Sequence, residues 1–455
     1  MTSDSLATAW APYKPTDSAP WTLKRVVHLH RRAGFAAGWQ VLQQDLRDGP
    51  DAAISRVLDG EVNTDATARD FESLARTIGD AAVASDNPAR LKAWWLYRML
   101  VTPDPLGERL TLMWHNHFAT SNRKVQSLVL MREQNELFRQ HARGNFTNLL
   151  SSVVRHPAVL VWLDADSNRK GHPNENLARE LMELFTLGVG HYTEEDIKEA
   201  ARAFTGWTVK NREFRESAAY HDDGEKTILS RRGSWRGDDL LAILLGEPAT
   251  SMRLARRVCE LLMGEVEEPA VADLAAGLRE HKLQVGWAVE TVLRSAAFFA
   301  DGNIGNRVLA PVEFVVGAVR ALEILEPPPS TLVLAEWAAA MDQDLFEPPN
   351  VFGWAGGRSW INSRSLIARS NFAQRLADGS LQGPADWYAL AERCGCGDNA
   401  DAFCRFLGQT LWTDCADEEA KRVRRAVLGE ETAITPDNCW RLVAAMLGSP
   451  RAQLG

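Results

Sequence analysis

The chain has 455 residues, of which 45% are hydrophobic and 24% are charged, and both fractions are ordinary for a globular protein. A chain of this length buries roughly three quarters of its surface on folding, so it needs neither disulfides nor a metal ion to maintain a core. Its formal net charge of -9 argues against a nucleic-acid binder, because such proteins use a basic face to displace phosphate counterions.

The N-terminal region, residues 1–20, contains several prolines and few apolar residues in register, and it is predicted to form an extended arm. It lacks a basic segment followed by an apolar one, so we recognise no secretory signal. No apolar run of about 18 residues occurs in the chain, and we therefore expect no membrane span. The expected location is the cytoplasm, with export as the alternative if the true start of the protein lies elsewhere.

Helical periodicity begins at Trp21 and continues to the C-terminal end. The predicted helices cover 23–34, 37–48, 51–59, 66–84, 88–102, 105–119, 124–142, 145–163, 174–187, 194–205, 306–325, 331–341, 362–376, 385–394, 400–412, 418–428 and 436–447. The helix over 145–163 is interrupted at Pro157, and several further helices are predicted between 238 and 299. After Trp207 the period changes, and short strands are predicted within 208–230. The predicted fold class is all-α with a small β-hairpin insert near 208–230. Residues 21–375 would form the helical core domain, and residues 376–455 a C-terminal helical extension packed on it.

The predicted helix 174–187 has a polar face that carries Glu175, Arg179, Glu180 and Glu183. Arg179 is four residues from Glu175 and from Glu183, so it can pair with either of them. If this face is exposed, it is an ordinary amphipathic surface. If it is turned inward, its carboxylates need cationic, hydrogen-bonded or metal partners, and their pKa values shift as they do in acid–base sites.

Four histidines are candidates for chemistry. His115 and His117 are two residues apart and point about 200° away from each other on a regular helix. They can therefore share a metal ion if the helix ends near Asn116 or if the segment is extended. The alternative is that one packs in the core and the other caps the helix end. His191 lies in the connection after the glutamate-rich helix, and His221 lies in a turn between two predicted strands.

A long irregular segment, 346–364, is rich in Pro, Gly and Trp. It contains Trp354, Arg358 and Trp360, with glycines that allow sharp turns. Long loops of this kind are more often functional or interface-forming than idle. The alternative is that Trp354 and Trp360 plug the helical bundle.

The sequence contains none of the common short motifs that mark a zinc site or a catalytic site. The six cysteines are scattered, and the close-set pair Cys394 and Cys396 lacks C-x-x-C spacing, so buried thiols are expected in place of a zinc site. The chain has no nucleophile elbow, no phosphate-binding loop with Lys and Ser/Thr, and no His-Glu-x-x-His.

Several of these segments together resemble the bacterial family called domain of unknown function 1800. The resemblance is carried by His28–Phe35, Trp114–Phe118, Asn174–Gly188, Gly190–Glu194, Ala200–Trp207, His221–Asp222, Pro349–Trp354 and Trp360–Asn362. It covers at least 22–370, although Ala36 stands where a glycine is usual. The resemblance implies a bacterial protein, often exported in other members, and a possible protein partner from a sulfatase-like family that is often encoded nearby. It implies no particular reaction.

Two functional hypotheses follow. The first is an enzyme with a polar pocket and a hydrolytic or metal-dependent reaction, with a divalent metal as the cofactor considered. Its acid–base or metal-ligand candidates are His115, His117, Glu180 and Glu183, with Arg179 to orient them or bind an anionic substrate, and its substrate contacts are Glu175, His191, His221, Trp354 and Trp360. The second is a non-catalytic binding or assembly protein that docks a partner through the Trp354–Trp360 loop.

Overall fold

The computed structural model describes residues 9–60, 66–381, 383 and 385–455. The first eight residues of the predicted arm lie outside them. The helices are α1 (Leu23–Ala33), α2 (Trp39–Asp48), α3 (Pro50–Asp59), α4 (Ala66–Ala84), α5 (Pro88–Val101), α6 (Pro105–His117), α7 (Asn122–Val125), α8 (Leu128–Gln140), α9 (Phe146–Val154), α10 (Pro157–Trp162), α11 (Asn176–Glu180), α12 (Glu194–Ala203), α13 (Gly237–Gly246), α14 (Pro248–Leu262), α15 (Glu268–Glu280), α16 (Val285–Leu293), α17 (Pro311–Ala321), α18 (Thr331–Ala340), α19 (Ser363–Ala377), α20 (Trp387–Arg393), α21 (Ala400–Leu411), α22 (Asp417–Leu428) and α23 (Cys439–Gly448).

The β structure consists of two antiparallel hairpins between α12 and α13. Strands β1 (Trp207–Lys210) and β2 (Glu213–Glu216) form the first hairpin, and β3 (Lys226–Ile228) and β4 (Arg231–Gly233) form the second. The mainly helical fold with a small β insert is therefore confirmed, with two hairpins where one insert was predicted. None of the helices in the described residues is long and apolar enough to span a membrane.

One predicted helix is wrong in detail. The helix predicted over 124–142 is divided into α7 and α8 at Gln126, which adopts a left-handed conformation with φ 51°. The Ser127 side chain then caps α8 by accepting from the backbone N–H of Leu130. The stretch 238–299, where helices were predicted without separate bounds, contains four of them, α13 to α16.

The glutamate-rich helix is not a regular α-helix throughout. After α11, residues Leu181–Thr186 form a π-helical turn. A π turn widens the backbone and leaves carbonyl groups with altered partners. Two of these carbonyl groups accept hydrogen bonds from side chains of distant helices. Arg253 Nε donates to the Leu184 carbonyl at 2.6 Å, and His117 Nε2 donates to the Phe185 carbonyl at 3.1 Å. Helix α6 and helix α14 therefore stabilise this turn.

Helix α6 begins where the sequence provides a start signal and then passes between two apolar cores. The Asp104 side chain accepts from the Gly107 N–H at 2.9 Å, and Pro105 occupies the first turn. Leu112 belongs to one core and Met113 to the other. The first core also contains apolar residues from 376–455, such as Leu407, so this C-terminal segment shares a core with the helices before it.

Candidate functional site

A cleft of about 660 Å³ opens between helices α6 and α14. Each helix contributes side chains at positions i, i+3, i+4 and i+7, which form one stripe on a helix surface. From α6 these are Arg109, Leu112, Met113 and Asn116, and from α14 and the residues just after it they are Arg257, Glu260, Leu261 and Gly264. The volume of the cleft is in the usual range for small-molecule sites, roughly 300–1,000 Å³.

The opposite wall of the cleft comes from the irregular loop. Trp354 and Trp360 pack with Ala310 in a small apolar cluster and are only 6% and 7% exposed. Asn116 attaches this loop to α6, because its Oδ1 accepts from the Trp354 N–H at 2.7 Å and its Nδ2 donates to the Trp354 carbonyl at 3.3 Å. Gly353 has φ 74°, and a Cβ there would lie 2.2 Å from Asn116 Oδ1, so glycine is required.

The floor of the cleft is built around Glu313. This residue is the third of α17, and its Oε2 accepts from the Ala310 N–H at 3.0 Å, which caps the helix. The same carboxylate pairs with Arg109 Nη1, and with Arg307 Nη2 at 2.8 Å. Although burial raises the pKa of Glu313, the charges of Arg109 and Arg307 outweigh that effect and hold it at about 2. Glu313 is therefore ionised throughout the physiological pH range.

Three further arginines lie behind this floor. Arg31, Arg32 and Arg369 donate to backbone carbonyls and amide side chains, and each interacts electrostatically with Glu313. Burial lowers the pKa of Arg31 and of Arg369 to about 10. Five guanidinium groups thus share one buried carboxylate, and the floor of the cleft has a surplus of positive charge.

Several guanidinium nitrogens of this cluster have no hydrogen-bond partner among the described residues. They include Nε and Nη2 of Arg109, Nε of Arg307 and Nε of Arg257. Arg109 is 1% exposed. Buried cationic donors without acceptors are costly, and an oxyanion bound next to them would lower that cost. Guanidinium forks also match the geometry of carboxylate and phosphate oxygens.

The rim of the cleft is polar and accessible. Arg257 Nη1 pairs with Glu260 Oε2 at 3.1 Å, and Arg358 lies exposed on the loop. Phe352 is 65% exposed at the same edge. The cleft therefore combines a cationic floor, one aromatic wall and an open, mixed-charge entrance.

His115 and His117 are placed on different sides of α6, as their spacing required. His115 is buried beside Trp95, Phe346 and Trp354, and its Nε2 accepts from the Phe346 N–H at 3.3 Å. Burial lowers its pKa to about 3. His117 is buried among phenylalanines, and burial, with the nearby charges of Arg257 and Arg253, holds its pKa well below the ordinary value. Both rings are neutral at physiological pH.

His191 and His221, the other two histidines predicted to contact substrate, do not lie on α6 with His115 and His117. His221 is buried, and its Nδ1 donates to the Thr205 carbonyl at 2.9 Å, which fixes the turn before β3. His191 is exposed in the connection before α12. Neither of them lines the cleft between α6 and α14.

The glutamate-rich face is half-buried and satisfied largely by local partners. Arg179 Nη2 lies 2.8 Å from Glu175 and 2.8 Å from Glu194, and these hydrogen bonds raise its pKa. The Tyr192 hydroxyl donates to Glu183 Oε2 at 2.8 Å. Burial first, and then the charge of Glu183, raise the pKa of Glu180 to about 7. Glu180 therefore has a pKa near neutrality.

The predicted metal-ligand set does not assemble. His115 and His117 each hydrogen-bond to the backbone inside the core, whereas Glu180 and Glu183 lie on the half-buried face. In the part of the chain that the structure describes, no group of three or more His, Cys, Asp or Glu is placed to hold a metal ion. The six cysteines are unpaired, and burial raises the pKa of the Cys394 thiol to about 12.

Sequence reasoning found the loop with Trp354 and Trp360 but missed the arginine floor. The stripe of Arg109, Leu112, Met113 and Asn116 was available as a pattern, since a lone arginine on the face of an otherwise buried helix needs a partner. Its partner, Glu313, lies more than two hundred residues away, and no local spacing connects the two.

Comparisons with known proteins agree with the motifs. No curated protein and no solved structure matches the chain. The family model described as "protein of unknown function (DUF1800)" matches residues 28–454, nearly the whole chain, and the chain therefore belongs to the DUF1800 family.

Proposed function

We propose that this protein binds a small organic anion in the cleft between α6 and α14. The proposal rests on the guanidinium groups around Glu313, whose positive charges outnumber the one negative charge of this carboxylate. Both oxygens of that carboxylate are already engaged, so it has little capacity to satisfy the remaining donors. An anionic ligand would neutralise the surplus and accept from the donors that line the cleft.

Thermal unfolding in a panel of small anions tests this proposal. Inorganic phosphate, inorganic sulfate, oxalate and citrate are added at low millimolar concentration and constant ionic strength, because high concentrations of phosphate or sulfate stabilise most proteins. A ligand that binds only the folded state raises Tm, here by about 1–3 °C. We expect at least one anion to do so in the wild-type protein.

A matched pair of variants locates the effect. Arg257 lines the cleft, whereas its neighbour Arg256 faces away and pairs with Glu268 at the surface. We expect Arg257→Gln to reduce the anion-induced shift and Arg256→Gln to leave it unchanged. Equal shifts in all three proteins, or no shift in any of them, would contradict the proposal.

Acid–base catalysis on the glutamate-rich face is a second candidate function. The observation that favours it is the pKa of Glu180 near 7, beside Glu183 and Tyr192. A carboxyl group with such a pKa can exchange a proton at neutral pH. Titration of the glutamate carboxyl carbons by NMR tests it: one signal with a midpoint near 7 should disappear in Glu180→Gln. If all glutamate carboxyls titrate below about 5, near their ordinary values, this candidate fails.

Docking of a partner protein through the Trp354–Trp360 loop has less support. The two tryptophans are directed into the cleft wall, and Phe352 is the large apolar side chain that the loop exposes. A single exposed aromatic residue is a small contact surface for a partner.

A further inference from the structure

We infer that the ligand of the cleft is a phosphate monoester, with its phosphoryl group near Arg307 and Arg257 and its organic part against the Trp354–Trp360 wall. This inference rests on the proposed anion binding and adds the chemical class of the ligand. Three properties of the cleft support it, namely the amount of charge on its floor, the accessible donors and the shape of its apolar wall.

The charge on the floor favours an anion with two negative charges. Five guanidinium groups surround one carboxylate, Glu313, and two of them, from Arg109 and Arg307, line the cleft. The oxygens of Glu313 are occupied by these two arginines and the Ala310 N–H. A carboxylate or a sulfate ester brings one negative charge. A phosphate monoester, with a second pKa of about 6, carries between one and a half and two charges at neutral pH. It therefore neutralises more of the surplus than a singly charged anion does.

The accessible donors suit a tetrahedral oxyanion. Arg307 and Arg257 have side chains that are 14% and 23% exposed, so they are sheltered and still within reach of a ligand. Each also has a buried Nε–H without a partner among the described residues. Arg358, on the loop across the cleft, adds an exposed charge at the entrance. Guanidinium groups that converge from separate elements can each bind a different oxygen of one phosphoryl group.

The rest of the cleft is too large for an inorganic ion alone. Its volume of about 660 Å³ extends past the arginines along Leu112 and Met113 to Trp354 and Trp360, with Phe352 at the edge. Small-molecule sites commonly place a few polar anchors at one end and apolar or aromatic walls along the body. The organic part of the ester would therefore pack on this aromatic side.

Isothermal titration calorimetry with four probes tests the inference at pH 7.5. Phenyl phosphate, phenyl sulfate and benzoate share one aromatic ring and differ in charge or shape, and inorganic phosphate lacks the ring. We expect phenyl phosphate to bind the wild-type protein about tenfold more tightly than the two singly charged probes, and inorganic phosphate to bind more weakly than phenyl phosphate. Arg257→Gln should weaken phenyl phosphate binding about fivefold or more, and Arg256→Gln should not change it.

The outcomes separate this inference from the proposed function. Tighter or equal binding of benzoate or phenyl sulfate would overturn the phosphate monoester while leaving anion binding in place. Equal affinities for inorganic phosphate and phenyl phosphate would overturn the packing of an organic part on the tryptophans. No binding of any probe, or binding that Arg257→Gln does not weaken, would overturn both the inference and the proposed function.

Discussion

Two charged regions of this protein differ in how their charges are balanced. On the glutamate-rich face, Arg179 pairs with Glu175 four residues before it and with Glu194 on the next helix, close to solvent. In the cleft between α6 and α14, which we call the arginine cleft, Arg109, Arg307 and Glu313 come from three separate elements and are buried or nearly so. The first region is a set of half-buried ion pairs that solvent and salt still reach. The second has a surplus of charge that water reaches poorly, and this contrast identifies the cleft as the better candidate for ligand binding.

The largest effect that distinguishes the two regions is expected from removing their carboxylates. Glu313→Gln leaves five buried guanidiniums without their shared counter-charge, and we expect a loss of about 3–5 kcal/mol in the free energy of unfolding. Glu175→Gln breaks an i,i+4 pair near the surface and should cost no more than about 0.5 kcal/mol. Urea unfolding of both variants measures the difference. Similar losses in the two variants would mean that the two regions are not distinct.

The next effect concerns the π turn that connects the two regions. His117→Leu removes the donor to the Phe185 carbonyl and leaves that buried group unpaired, so we expect a loss of about 1–3 kcal/mol. The exposed His191 provides the control, because His191→Ala removes no buried hydrogen bond. Urea unfolding again gives the values. A His117→Leu variant as stable as the wild-type protein would show that the turn does not depend on α6.

Glu180 and Glu313, whose pKa values are shifted in opposite directions, predict opposite pH dependences of stability. The pKa of Glu180 is raised from 4.5 to about 7, so its contribution to stability is complete below pH 4.5 and is lost as the pH rises through 7. The pKa of Glu313 is lowered to about 2, so its contribution is present above pH 4.5 and is lost as the pH falls toward 2.

Glu180→Gln isolates the first of these two dependences. Because Glu180 is partly solvated, we expect it to account for only about 1 kcal/mol of the decrease between pH 4.5 and 7.5. The free energy of unfolding, measured at several pH values, should therefore decrease less in Glu180→Gln than in the wild-type protein. Identical pH profiles would contradict the raised pKa.

The smallest expected effect is a local one at the cleft wall. Asn116→Ala removes two hydrogen bonds to the Trp354 backbone, and we expect a loss of about 1 kcal/mol together with faster amide exchange across residues 349–361. Hydrogen exchange followed by mass spectrometry detects this change. In the control Asn362→Ala, which removes the cap of α19, faster exchange should be limited to the start of that helix. Unchanged exchange in 349–361 would show that Asn116 does not hold the loop.

The sequence predicted features that depend on local patterns. Apolar periodicity located most helices, including α12, which begins with a capping box formed by Thr193 and Asp196. The left-handed Gln126 was missed because a continuous apolar pattern conceals a single residue with positive φ. The π turn was missed because its carbonyls depend on His117 and Arg253, which lie far away in the sequence.

The residues of the candidate site also fall into those that a local sequence pattern indicates and those that only the fold brings together. Trp354 and Trp360 were selected from the composition of their loop, and they form a wall of the cleft. Arg179 was predicted to bind an anion, yet its guanidinium is already engaged by two glutamates. Arg109 and Arg307 were not selected, because only the folded chain brings them to Glu313. Ion pairs between residues that are far apart in the sequence have no characteristic spacing, so the sequence alone does not indicate them.

The most direct test of the arginine cleft is a crystal structure of the protein grown with tungstate, a tetrahedral oxyanion whose heavy atom gives a strong anomalous signal. We predict an anomalous peak between Arg257 and Arg307, with tungstate oxygens in hydrogen-bonding distance of both guanidinium groups. A cleft without a peak, in crystals where tungstate is bound at Arg179 or elsewhere on the surface, would contradict the account.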